Sequence, residues 1–111
     1  MTKKWKCVCG YIHDGDVPPT KCPKCGAPSE KFTLLDNAAA QLVERSRRTN
    51  ALHCRLVDLS RKIERVCKDG IEDNLDPACV AVFRRSLEHS YEMMKMAMTE
   101  MQGHTTKGKW G

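Results

Sequence analysis

Two close cysteine pairs, Cys7-Val8-Cys9 and Cys22-Pro23-Lys24-Cys25, limit what this chain can fold into more than any other feature. Four thiols this near one another end up either cross-linked or around a metal ion. Twelve residues separate Cys9 from Cys22, enough for two loops to meet across a small sheet. A glycine follows each pair, Gly10 and Gly26, where positive φ lets the chain turn so that backbone N–H groups face sulfur. Two thiolates three positions apart, as in Cys22 and Cys25, reach one ion; the first pair is a shortened version, and the two loops together can complete a tetrahedral four-sulfur site, which suits zinc or iron.

The choice between disulfides and metal depends on compartment. The opening Met-Thr-Lys-Lys-Trp carries no apolar run of the signal-peptide kind, and no stretch approaches the roughly 18 apolar residues of a membrane span. These features predict a cytoplasmic protein. There disulfides are rare, and the odd total of seven cysteines agrees with metal ligation. The remaining three, Cys54, Cys67 and Cys79, are too widely spaced to share an ion within one helix and read as small packing residues.

Residues 1–35 show no helical period. Trp5, Tyr11, Pro18-Pro19, Pro23, Pro28 and Phe32 mark short strands and tight turns, and a unit this small needs a staple in place of a large core. From Asp36 the pattern becomes helical. Leu52, Leu56, Leu59, Ile63 and Val66 recur at alternating four- and three-residue steps, a heptad seam. Asp36 is placed to cap a helix over about 36–69, with Gly70 as its stop. Asp76-Pro77 opens a second helix over about 76–102, whose seam is Val80, Phe83, Leu87, Met94, Ala97 and Met101. Gly103 is expected to end it before a flexible tail, 103–111.

Net charge is +5 overall, but it is +3 over 36–69 and −3 over 70–102, which suits two helices lying side by side better than a basic surface for nucleic acid. The connection is short enough to force antiparallel neighbours. Two helices cannot enclose a core, so the hairpin predicts a homodimer in which two copies form a four-helix bundle. The fold class is therefore α+β, a small β module of residues 1–35 followed by a long two-helix hairpin of residues 36–102.

Trp5, Cys7, Cys9-Gly10-Tyr11, Gly15, Pro18-Pro19, Cys22-Pro23, Cys25-Gly26 and Phe32 together resemble the rubredoxin-like domain of rubrerythrins over the first third of the chain. The resemblance implies that Cys7, Cys9, Cys22 and Cys25 bind a single iron that carries one electron at a time, with Trp5, Tyr11 and Phe32 as packing residues. One departure stands out. The family's first pair has two residues between its cysteines, whereas only Val8 stands here, as if toward the still shorter link of desulforedoxins. That shortening is expected to disturb the N–H to sulfur bonds that tune a reduction potential, or to favour zinc.

Rubrerythrins join such a module to a di-iron helical bundle whose ligand motif is Glu-x-x-His. Three residues after Glu44, Glu64, Glu72, Glu88, Glu92 and Glu100 stand Arg47, Cys67, Leu75, Tyr91, Lys95 and Gly103, so the motif is absent and peroxidase activity is not implied. No phosphate loop or activated nucleophile takes its place, and the reading is of a non-enzyme. Two functions follow from the metal site. Iron makes the protein an electron carrier, with Lys6, Lys21 and Lys24 steering an acidic redox partner. Zinc makes it a metal-stabilised adaptor that binds another protein.

Overall fold

The computed structural model describes residues 2–111. The strands β1 (Lys4–Cys7), β2 (Ile12–Asp14) and β3 (Phe32–Leu34) are followed by helices α1 (Asn37–Asp73) and α2 (Pro77–Thr106), with a single 3-10 turn, Ser29–Lys31, before β3. The chain divides into two compact units, one running to Arg48 and including Lys107–Gly111, the other Thr49–Thr106.

In the first unit β1 is central in an antiparallel sheet of order β2-β1-β3, with Trp5 opposite both His13 and Leu34. The core is small, as the composition requires: Cys7, Cys22 and Phe32 are buried, and Trp5 and Ala27 pack against them. The Trp5 indole N–H, which burial would otherwise leave unpaired, donates to the Gly15 carbonyl at 3.1 Å. Tyr11, expected in this core, is exposed instead. Its carbonyl does the structural work by accepting the Cys7 N–H at 2.8 Å, so the ring is free to face water.

Asp36 caps α1 as expected, its Oδ1 accepting the Ala39 N–H at 2.8 Å. The first turns of α1 bury Ala40 and Val43. Lys4, 1% exposed, is paired with Asp14 at 3.2 Å and Glu44 at 2.7 Å. Arg47 clamps Asp14 through both terminal nitrogens, at 2.6 and 2.9 Å, and its Nε donates to the Gly111 carbonyl at 2.9 Å. Gly111 also lies against Ile12 and Val43. Gly111, at the end of the stretch read as a flexible tail, thus has a partner in Arg47.

In the second unit α1 from Thr49 packs along α2 as the hairpin predicts. Asp76 caps α2 through the Cys79 N–H at 2.7 Å, with Pro77 at the first helical position. Both expected helix stops move outward. Gly70 lies inside α1, where a Cβ would collide with the Phe83 ring, so the glycine serves close approach of the helices. The left-handed residue that ends α1 is Asn74, at φ 48°, whose N–H still donates to the Gly70 carbonyl at 3.2 Å. Gly103 is likewise helical, and the positive-φ glycine after α2 is Gly108.

The larger correction concerns the seam. The α2 stripe does turn inward, with Ala97 and Ser90 buried, but on α1 from Thr49 onward the buried residues are Asn50, Ser60 and Cys67. Cys67 follows Val66 and Ser60 follows Leu59, so α1 is turned by one residue, about 100°, from the expected face. Small side chains let the two backbones approach, whereas leucines would hold them apart. Their hydroxyls bond within their own helices, Ser60 to the Leu56 carbonyl at 2.8 Å and Ser90 to the Leu87 carbonyl at 2.7 Å. Asn50 is buried with His104, whose Nδ1 lies 2.6 Å from Asn50 Oδ1.

Candidate metal centre

The two cysteine loops have the same construction. Cys7 N–H donates to the Tyr11 carbonyl and Cys22 N–H to the Ala27 carbonyl, both at 2.8 Å, closing each loop at its base. Gly10 and Gly26, at φ 99° and 77°, donate back to the Cys7 and Cys22 carbonyls, both at 2.9 Å. A side chain at either φ would be strained, which is why both positions are glycine. The first loop simply has one residue fewer between the same bonds. The missing residue is absorbed inside the knuckle, leaving the closing bonds intact.

The Sγ atoms of Cys7, Cys9, Cys22 and Cys25 all lie within 4.8 Å of one another. The separation is 3.6 Å from Cys7 to Cys25 and 3.8 Å from Cys9 to Cys22. A tetrahedron with metal–sulfur bonds of about 2.3 Å has edges of about 3.8 Å, so the four sulfurs fit one zinc or iron ion. Cys7 and Cys22, the first of each pair, are buried, while Cys9 and Cys25 are exposed. One edge of the tetrahedron thus faces water and the other the small core.

The backbone N–H groups of Cys25 and Lys24 act on the Cys22 thiol and that of Cys9 acts on the Cys7 thiol, each favouring the thiolate. The Cys9 N–H pulls the Cys7 thiol down, but burial and the sulfurs of Cys25, Cys9 and Cys22 outweigh it and push it up to about 12. Burial pushes Cys22 up too, yet the Cys25 and Lys24 N–H groups and the Cys7 and Cys25 thiols bring it to about 7. Ionising one sulfur makes ionising the next harder. A cation among them relieves that opposition.

The other three cysteines belong to the second unit. Cys67 is buried as expected of a packing residue, Cys79 is half-buried, and Cys54 is exposed, with its thiol 3.6 Å from the Met101 sulfur. His53 lies in edge contact with His104, ring centroids 6.0 Å apart. His104, expected in the tail, lies in the last turns of α2, and nothing in its sequence neighbours reveals the buried Asn50 side chain it meets more than fifty residues earlier in the chain. Lys6, Lys21 and Lys24 are all exposed on the metal module. No helix among the described residues is long and apolar enough to cross a membrane.

A zinc or iron tetrathiolate module of this construction is rubredoxin-like. Residues 5–33 match the family described as the rubredoxin-like domain of rubrerythrin. The chain is 28% identical over 81 residues to reverse rubrerythrin-1 of Clostridium acetobutylicum, covering 72% of this chain and 40% of that protein. It is 48% identical over 33 residues to a rubrerythrin of Nitratidesulfovibrio vulgaris, covering 29% of this chain and 17% of that protein. The chain thus spans less than half the length of these relatives. No solved structure gives a significant match.

Proposed function

We propose that the chain is a one-electron carrier built on a single iron held by Cys7, Cys9, Cys22 and Cys25. The observation that supports this most is the sulfur tetrahedron itself, with spacings that suit one ion, within a module that matches the rubredoxin-like domain. Bound iron would supply a ferric–ferrous couple in which only charge changes and no bond is made or broken. The protein's part is to hold four thiolates at fixed spacing, so that little rearrangement accompanies each electron. The exposed Cys9 and Cys25 edge gives a partner close approach, and the exposed Lys6, Lys21 and Lys24 favour an acidic one. This reading places the protein in the cytoplasm, where thiolates stay reduced for metal binding.

Anaerobic purification from the native host, followed by metal analysis and visible spectroscopy, tests the proposal. The expected result is one iron per chain with a red ferric form that bleaches and recovers through repeated reduction and oxidation. An iron form that does not cycle reversibly would sink it.

A zinc-stabilised adaptor is the second reading, favoured by the size of the module's core. Cys7, Cys22 and Phe32, with Trp5 and Ala27 beside them, are too few to hold three short strands without a staple. Stoichiometric zinc in the native protein selects this reading.

A further inference from the structure

The stripe of α1 formed by Leu52, Leu56, Leu59, Ile63 and Val66 is 53, 40, 45, 39 and 61% exposed, although every member is aliphatic. Between them these side chains leave about 400 Å² of apolar surface in water, a contiguous patch of the size that marks an interaction site. The stripe keeps strict four- and three-residue steps, the spacing at which one helix offers knobs to the holes of another. Asn50, Ser60 and Cys67, one face round, already occupy the contact with α2.

The ends of the stripe say what covers it. One heptad before Leu52 stands Arg45, and one heptad after Val66 stands Asp73, both exposed. Leu59 is the midpoint of both pairs. A second copy of α1 laid antiparallel, with a twofold axis at Leu59, brings Leu52 opposite Val66 and Arg45 opposite Asp73 of the other copy. A parallel copy sets arginine against arginine and aspartate against aspartate. The wider charge pattern agrees: from Glu44 to Arg55 the helix carries four arginines and one acid, and over the facing Ile63 to Asn74 four acids and two bases. Like charges brought together disfavour the parallel arrangement, and opposite charges favour the antiparallel one.

We infer that the exposed Leu52–Val66 stripe is a homodimer interface in which α1 packs antiparallel on α1 of a second copy about Leu59. Two hairpins joined in this way place four helices together, whichever metal the β modules hold.

Light scattering coupled to size exclusion on the full metal-loaded chain tests the inference. The wild type should show twice the 12.6 kDa chain mass at tens of micromolar. Leu59→Arg should run at the single-chain mass with its helical circular dichroism retained, because Leu59 is exposed within one chain. Should that variant unfold, Leu59→Ala keeps helix propensity and should weaken the dimer at least tenfold. Orientation is read by charge. Asp73→Arg should raise the dimer dissociation constant about fivefold, and Arg45→Asp combined with Asp73→Arg should restore it.

A wild type that stays monomeric overturns the inference, as does a dimer indifferent to Leu59→Arg or Leu59→Ala. A double charge swap without recovery overturns the antiparallel arrangement and with it the interface proposed. A monomer that sediments with anionic vesicles assigns the stripe to lipid and overturns it as well.

Discussion

Lys4 Nζ lies 2.7 Å from Glu44 Oε2, joining the first strand of the metal module to the start of α1 through a lysine that is only 1% exposed. Such a lysine is tolerable only with its charge compensated, and Asp14 supplies the second carboxylate at 3.2 Å. Arg47 then binds Asp14 and Glu44 together, so that two cations and two anions form one cluster.

This cluster makes the first unit acid-sensitive. Hydrogen bonds from Arg47, and then from Lys4, hold Asp14 down at about 2, against an ordinary value of 3.8, and Lys4 lowers Glu44 as well. A carboxylate depressed in the folded state contributes its stability above the unfolded pKa and loses it as pH falls through the folded one. Asp14→Asn should therefore lower the melting temperature at pH 7. Its gap from wild type should close between about pH 4 and pH 2, the window set by the two values. Thermal unfolding of the two proteins side by side across this range measures the gap. A gap that does not change would remove the cluster from the account.

The shortened first loop predicts a change in potential. N–H groups directed at sulfur stabilise the more negative, reduced site, and with Val8 alone between its cysteines the first loop has one backbone N–H fewer to direct there than the second. Inserting a glycine between Val8 and Cys9 should supply the missing donor and raise the reduction potential of the iron form. Protein-film voltammetry on both proteins reads this directly, and a lower potential in the insertion variant contradicts the assignment.

At Gly70 two effects oppose each other. Alanine is ordinarily better than glycine inside a helix by about 1 kcal/mol. Here its methyl group would strike the Phe83 ring, and overpacking of that kind costs about 1–3 kcal/mol. Gly70→Ala is expected to destabilise the hairpin, and adding Phe83→Leu should recover part of the loss. Urea unfolding of the two single variants and the double variant closes the cycle; a stabilised Gly70→Ala would mean the helices are farther apart than described.

Asn50 and His104 give the fourth test. Both are buried, with Asn50 Oδ1 and His104 Nδ1 2.6 Å apart, so removing the amide leaves a ring nitrogen in the interior without this partner. Asn50→Ala should cost about 1–3 kcal/mol, more than the same change at an exposed helical site. Denaturant unfolding in the metal-loaded protein gives the value.

The clustering of the four cysteines, the sheet-plus-hairpin architecture and both helix caps were legible in the sequence, because each rests on contacts between near neighbours. A glycine after each cysteine pair, an aspartate three residues before the amide it caps, and a proline at the first helical position carry their meaning locally. The helix stops were misplaced for a related reason. Gly70 looks like a stop until Phe83, thirteen residues later, is known to lie against it. Asn74 takes the left-handed turn at φ 48° that the glycine was expected to supply.

By itself the sequence determined that four cysteines come together and that two amphipathic helices follow. Tertiary structure alone decided which face of α1 meets α2. Heptad spacing specifies a stripe that seeks a partner without specifying which partner, and the two candidate stripes on α1 differ by a single residue. Close helix approach rewards Asn50, Ser60 and Cys67 with contact that bulky leucines would prevent, so the small and polar stripe is buried and the aliphatic one is left facing outward.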